Sequence, residues 1–121
     1  MIKISLILLT VVSLSYAKTA YELGKTIYME KACYSCHGIK AEGMHSYPRL
    51  ANRAKGFLTY KLKRFRSKQS DNQQEEMMIT YALKLSDSDI DNLTSYLTDF
   101  TEEESSERYD DSYNNWGDGG S

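Results

Sequence analysis

The chain has 121 residues, which leaves room for one small domain and excludes a multidomain architecture. Its formal net charge of −2 conceals an asymmetry, because residues 18–100 carry 13 Lys and Arg against 10 Asp and Glu, whereas residues 101–121 carry seven acids and one base. The bases are not interleaved with aromatic side chains in the manner of nucleic-acid-binding proteins, so we expect no nucleic-acid partner.

Residues 1–17 have the pattern of a secretory signal peptide. Lys3 precedes an apolar run, and Ser15-Tyr16-Ala17 places small residues where a signal peptidase cleaves. An uncleaved membrane anchor is the alternative, but only 14 residues lie between Lys3 and Lys18, whereas a membrane-spanning helix needs about 20. We therefore expect cleavage of the signal peptide, export to the periplasm and a mature domain over residues 18–100.

Apolar residues at helical spacing, Leu23, Ile27 and Tyr28, predict an amphipathic helix from about Thr19 to Ala32. Gly24 lies within it and weakens it, as an ordinary weak point or because another element packs closely there. The helix leads directly into Cys33 and Cys36, so we expect the group that these two cysteines bind to hang from its C-terminal end.

The segment Cys33-Tyr34-Ser35-Cys36-His37 is the C-x-x-C-H pattern by which a c-type haem is attached. Two thiols separated by two residues can add to both vinyl groups of the porphyrin, and the following imidazole can ligate the iron through Nε2. The sequence therefore predicts one haem c, covalently bound by Cys33 and Cys36, with His37 as an iron ligand. The haem would also supply a large apolar surface to a domain that is small for an ordinary core.

A C-x-x-C pair can also form a redox dithiol, half a zinc site or a plain disulfide. A zinc site needs further ligands, and the chain has only these two cysteines, His37 and His45. A thioredoxin-like dithiol needs a strand–helix–strand pattern, which does not occur here, and has no need of a histidine directly after the second cysteine.

Residues 38–52 are predicted to form a loop, because Gly38, Gly43 and Pro48 interrupt any periodicity. Pro48, the chain's single proline, has two interpretations. It is an ordinary loop proline, or it holds the loop beside the haem, where a backbone carbonyl can accept the Nδ1 proton of His37 and raise the basicity of the ring.

A second helix is predicted from Asn52 or Arg53 to Lys68. It contains seven bases and no acid: Arg53, Lys55, Lys61, Lys63, Arg64, Arg66 and Lys68. Most of these residues are expected to form a solvated face. The alternative is a docking surface that attracts acidic partners and speeds their encounter at low salt.

A third helix, from about Gln73 to Leu83, carries the adjacent residues Met77 and Met78, and Asp71 or Asn72 can cap it. A thioether is the usual sixth ligand of an electron-transfer haem, because its softness stabilises ferrous iron. Methionines also pack in cores. The residues alone leave Met77 and Met78 both open as the ligand.

A last helix begins at Ser86, a natural N-cap with Asp89 three residues on. Its apolar stripe comprises Ile90, Leu93, Tyr96, Leu97 and Phe100. This helix should close the core against the first one. Residues 101–121 are acidic and polar, so we expect a disordered tail that can fold transiently onto the basic stretch 53–68.

The combined motifs resemble those of a small monohaem class I cytochrome c of the bacterial periplasm. The shared patterns are C-x-x-C-H-G at 33–38, Y-P-x-L-A at 47–51, F-R at 65–66, and M…L-S-D-x-D-I…L…Y from 78 to 96. The resemblance covers about residues 20–100. The chain departs from it at Arg53 and Lys61, where the family has glutamine, and at Phe57, where it has tyrosine; these positions concern contacts near the haem propionates.

The resemblance implies an all-α class I cytochrome c fold, with three to five helices wrapped around one covalent haem. It selects Met78 rather than Met77 as the second iron ligand, and it places the Pro48 carbonyl against the ligand imidazole. It further implies a monomeric electron carrier of a respiratory chain. The donor would be a quinol:cytochrome c reductase, and the acceptor a terminal oxidase or a cytochrome c peroxidase.

With His37 and Met78 both on the iron, no site for a substrate is left, so we expect no enzymatic activity and contact with membranes only through partners. The alternative is a haem protein with an open sixth position, acting as a peroxidase-like enzyme or gas binder. A third interpretation is a protein without haem that uses Cys33 and Cys36 for thiol–disulfide exchange.

Overall fold

The computed structural model describes residues 17–102, which form five helices and no strand. The helices are α1 (Ala20–Glu30), α2 (Tyr34–His37), α3 (Lys55–Arg66), α4 (Gln73–Ala82) and α5 (Asp87–Thr98). The expected all-α architecture is thus confirmed. The predicted signal peptide, except for its last residue, and nearly all of the predicted acidic tail lie outside the described residues. Within residues 17–102, no helix is both long enough and apolar enough to cross a membrane.

The first helix ends earlier than its periodicity predicts. Thr19 caps α1 by accepting the amide proton of Glu22 at 3.2 Å, as an N-cap should. At the other end, Ala32 has a φ of +56°, which a helix cannot include. The cysteine motif therefore does not continue α1, and most of it forms the separate short helix α2 after a turn.

The crossing of α1 and α5 forms the centre of the core. Gly24 is buried at this crossing, and a Cβ atom there would clash with the backbone oxygen of Asn92 and lie 2.7 Å from the Cβ of Tyr96. The Tyr96 ring makes an edge-to-face contact with that of Phe100 and lies near that of Tyr28. The close-packing interpretation of Gly24 is the correct one.

The predicted start of the last helix is confirmed in detail. The Ser86 hydroxyl accepts the Asp89 amide proton at 3.0 Å, and the Asp89 carboxylate accepts the Ser86 amide proton at 3.0 Å, which completes a capping box. The buried face of α5 comprises Ile90, Leu93, Thr94, Tyr96 and Leu97. This helix closes the core against α1, as its stripe predicts.

The second predicted helix begins two or three residues late, at Lys55, because Asn52 has another role. Its φ is +61°, and its side-chain amide donates to the carbonyls of Thr98, at 3.2 Å, and Phe100, at 2.8 Å. Asn52 thus satisfies carbonyls at the end of α5, which would otherwise lack partners. These two hydrogen bonds hold the loop before α3 against the end of α5.

The α1–α5 crossing predicts a large cost for Gly24→Ala in the haem-loaded protein. The added methyl group would overlap the backbone of Asn92 on α5, so α1 and α5 would have to move apart. We expect a loss of about 2 kcal/mol or more in the free energy of unfolding, measured by denaturant titration. The control is Gly56→Ala on α3, where nothing lies within 4 Å of the added Cβ. Better helix propensity should leave this control neutral or slightly more stable. Equal stability of the two variants would contradict the importance of the crossing.

Candidate functional site

A cavity of about 370 Å³ is lined by all five residues that the sequence analysis connects with the haem. Cys33, Cys36, His37, Pro48 and Met78 all line it. Its walls come from the end of α1, from α2, from the loop before Leu50, and from α3, α4 and α5. Apolar side chains predominate among them, and the volume lies in the range of small-molecule and cofactor sites.

The two thiols are placed by the short helix α2. Cys33 precedes it as the N-cap, and its carbonyl accepts the amide protons of Cys36, at 3.4 Å, and His37, at 3.0 Å. This single turn brings both cysteines to the wall of the same cavity. Burial raises the pKa of the Cys33 thiol to about 11, so the free thiol is protonated at neutral pH.

The imidazole of His37 is held by the hydrogen bond that the Pro48 interpretation predicts. His37 is buried, with only 6 % of its surface exposed, and its Nδ1 lies 2.8 Å from the Pro48 carbonyl oxygen. A carbonyl can only accept, so Nδ1 carries the proton and Nε2 is left with its lone pair. Burial lowers the pKa of His37, although the bond to Pro48 acts in the opposite direction. The ring is therefore neutral and has one nitrogen available as a ligand.

The loop that carries Pro48 is fixed by backbone bonds. The Gly43 amide donates to the His37 carbonyl at 2.8 Å, and Met44 and Tyr47 form an isolated β-bridge. The carbonyl of the buried Ala41 accepts the amide proton of Leu50 at 2.9 Å. These bonds set the position of the Pro48 carbonyl relative to His37. Met44 of this loop is 43 % exposed and does not line the cavity.

A further contact close to His37, between Tyr28 and Gly38, is not predicted from the sequence. Tyr28 of α1 is fully buried, and its hydroxyl donates to the Gly38 carbonyl at 2.5 Å. Burial raises the pKa of Tyr28 strongly, so the phenol remains a donor. The bond joins the core to the residue directly after His37. Periodicity marks Tyr28 only as apolar, but a buried tyrosine hydroxyl needs a partner, and that signal could have indicated the contact.

The two candidate methionines differ in burial. Both line the cavity, but Met77 is 53 % exposed, whereas Met78 is partly buried and packs against the hydrophobic core. Both belong to α4, which Asn72 caps by accepting the Glu75 amide proton at 2.9 Å. The thioether of Met78 is thus the better enclosed of the two.

The wall formed by α4 is attached to α3 by ion pairs. Lys61 Nζ lies 2.5 Å from Glu75 Oε1, and Arg64 Nη2 lies 2.5 Å from Asp71 Oδ1. Arg66 reaches past the end of α4 to Asp87 at 2.5 Å. Four of the seven bases in the stretch 53–68 make ion pairs within the domain, since Lys55 also pairs with Asp91. The sequence predicts neither these pairings nor their role in placing α4, and a docking role for the stretch stays a prediction.

The residues present fit a haem. The cavity offers two thiols on one turn, a neutral imidazole with an available nitrogen, a thioether on a different helix and mainly apolar walls. Arg53 adds a positive charge to the lining, with its guanidinium 4.3 Å from the centre of the Phe57 ring. Such a group suits one of the carboxylates that a haem carries at its edge.

Comparison with known proteins agrees with this geometry. The family model described as Cytochrome c matches residues 21–101. A curated relative, cytochrome c-554(547) of Halothiobacillus neapolitanus, is 33 % identical over 82 residues. The matched region covers 61 % of this chain and 89 % of that protein. The residues matched by the family model include all those that line the cavity and, except for Ala20 at the start of α1, all those in the five helices.

The Tyr28–Gly38 bond leads to a prediction for Tyr28→Phe. Removing the hydroxyl takes away a buried hydrogen bond and leaves the Gly38 carbonyl with only the Ala41 amide, at 3.0 Å, as a donor. We therefore expect the free energy of unfolding of the haem-loaded protein to fall by about 1 kcal/mol. Tyr60→Phe is the matched control, because Tyr60 is 58 % exposed and an exposed hydroxyl should matter by less than about 0.5 kcal/mol. Denaturant unfolding followed by circular dichroism measures both. A Tyr28→Phe protein as stable as the control would show that the bond contributes nothing.

Proposed function

The chain belongs to the cytochrome c family, and on that premise we propose that it carries single electrons between redox proteins of the periplasm through a His/Met-ligated haem c. The observation that carries the proposal is the single cavity lined by Cys33, Cys36, His37, Pro48 and Met78. The family carries haem c and serves electron transfer, which agrees with the C-x-x-C-H motif.

Cys33 and Cys36 are the residues that would hold the haem covalently. They are the only two cysteines of the chain and lie on one helical turn at the cavity wall. When bound, haem c supplies one-electron chemistry at its iron. Because the attachment is covalent, the cofactor stays with the protein as it moves between partners.

His37 would bind the iron through Nε2. Its Nδ1 proton is held by the Pro48 carbonyl at 2.8 Å, which fixes both the tautomer and the orientation of the ring. Burial favours the neutral form that a metal ligand requires. The chain thus presents a pre-oriented nitrogen, and the bond to Pro48 increases its basicity.

Met78 would supply the second axial ligand. It reaches the cavity from α4, an element separate from the one that carries His37, and its partial burial favours it over the exposed Met77. A thioether raises the reduction potential relative to harder ligands. With His37 and Met78 both bound to the iron, a substrate would have no place on it, so the protein would act as a carrier and not as an enzyme.

The proposed partners follow from the family resemblance and from the export signal that the sequence predicts in residues 1–17. A quinol:cytochrome c reductase would be the donor, and a terminal oxidase or cytochrome c peroxidase the acceptor. Phe57, Met77 and Tyr81 line the cavity and are each between 41 % and 53 % exposed. They give the cavity an apolar, accessible margin through which a partner could approach.

Visible spectroscopy of the exported protein tests the proposal. We expect a c-type spectrum, a weak charge-transfer band from thioether to ferric iron and no binding of carbon monoxide. Met78→Ala should abolish that band, lower the reduction potential and allow carbon monoxide to bind, because the axial position becomes open.

Met77→Ala is the matched control, since it removes the adjacent thioether of the same helix. It should leave the band and the potential close to those of the unaltered protein. A high-spin spectrum that responds to carbon monoxide before any mutation would contradict His/Met ligation. A colourless protein from cells that mature other c-type cytochromes would contradict haem attachment.

A further inference from the structure

The helix that carries Met78 has little apolar attachment to the core. Ala82 is the only buried residue of α4. Met77 and Tyr81 of this helix, and Leu83 at its end, are each between 47 % and 53 % exposed. Because apolar burial normally fixes a helix in place, another interaction has to contribute here.

That interaction is ionic and comes from α3. Lys61 Nζ donates to Glu75 Oε1 at 2.5 Å, and the two side chains are only 21 % and 23 % exposed. Asp71 also lies near this cation, at 3.5 Å from Lys61 Nζ, and it pairs with Arg64 at 2.5 Å. The Lys61–Glu75 pair is therefore better shielded from water than most surface ion pairs. We expect it to contribute more to stability than they do.

Glu75 serves two purposes at the start of α4. One carboxylate oxygen accepts a hydrogen bond from Lys61 Nζ, and the other accepts the Asp71 amide proton at 2.9 Å. Its own amide proton is accepted by the Asn72 side chain at 2.9 Å. Glu75 thus joins the first turn of α4 to α3. It lies three positions before Met78, so the two side chains share one face of the helix, and both line the cavity.

We propose that Lys61 and Glu75 are positioning residues, whose ion pair holds α4 against α3 and thereby keeps the Met78 thioether at the cavity. The inference rests on the proposed function in that it takes Met78 as the axial ligand. Loss of the pair lets α4 move away more often, which exposes the axial position to a competing ligand from solution. The affinity for that competitor rises by the factor by which the open arrangement gains population.

The test uses the haem-loaded, full chain and two nearly isosteric variants. Lys61→Gln removes the cation. Glu75→Gln removes the negative charge but keeps an oxygen that can accept the Asp71 amide proton. Imidazole is the probe, added to the ferric protein and followed by loss of the thioether charge-transfer band. We expect each variant to bind imidazole about 3- to 10-fold more tightly than the unaltered protein.

Lys55→Gln is the matched control, because it makes the same charge change on the same helix. It breaks the Lys55–Asp91 pair, which joins α3 to α5 and not to α4. Its imidazole affinity should stay within about twofold of the unaltered protein. The double variant Lys61→Gln/Glu75→Gln should bind imidazole about as tightly as Lys61→Gln alone, because Lys61→Gln already removes the pair with Glu75 as well as the longer contact with Asp71. Full additivity, or an equal effect of Lys55→Gln, would overturn the proposal.

Amide hydrogen exchange separates this proposal from the assignment of Met78. Lys61→Gln should speed exchange in α4 relative to Lys55→Gln, whichever side chain ligates the iron. If Met78→Ala keeps the charge-transfer band while α4 exchanges faster in Lys61→Gln, the ligand assignment fails and the attachment of α4 stands. Unchanged exchange in α4 overturns the attachment itself.

Discussion

The close approach of α1 and α5 is the constraint on which the rest of the domain depends. At Gly24 the backbones are too near for any side chain, and the aromatic rings of Tyr28 and Tyr96 pack beside this point. From α1, Tyr28 reaches the carbonyl of Gly38 and so places the residue after His37. At the end of α5, the carbonyls of Thr98 and Phe100 accept hydrogen bonds from the Asn52 side chain. These bonds set the point at which the loop leads into α3. The positions of both sides of the cavity therefore depend on the crossing of α1 and α5.

The two walls that supply the proposed iron ligands are stabilised by different physical interactions. The His37 side relies on short backbone and side-chain hydrogen bonds within residues 28–51, to which the covalent attachment of haem adds. Such an arrangement is local, and ionic strength should affect it little. The Met78 side relies on charge pairs between α3 and the start of α4, such as Lys61–Glu75. Salt screens partly exposed charges, so the two sides of the site should respond differently to the same solution conditions.

Local patterns in the sequence predict most of the elements and much of the candidate site. The C-x-x-C-H motif, the Ser86 cap and the helical stripes depend on neighbours within a few residues, and such signals can be read along the chain. The break at Ala32 has no such signal, because an alanine with positive φ is set by the surrounding fold. The bond from Tyr28 to Gly38 and the pairing of Lys61 with Glu75 join different elements. Only the assembled fold determines these partners, as it does the short α2 on which Cys36 lies.

The ends of the described chain lie side by side. The Thr101 amide donates to the Tyr21 hydroxyl at 3.4 Å, so the chain enters α1 and leaves α5 at one edge of the molecule. Neither residue lines the cavity. A peptide linker of a few residues should therefore suffice to join the two ends in a circular permutant, with a new opening at the exposed turn between α3 and α4. A second protein domain fused at either end would be attached at this same edge. The cavity margin formed by Phe57, Met77 and Tyr81 would remain accessible to a redox partner.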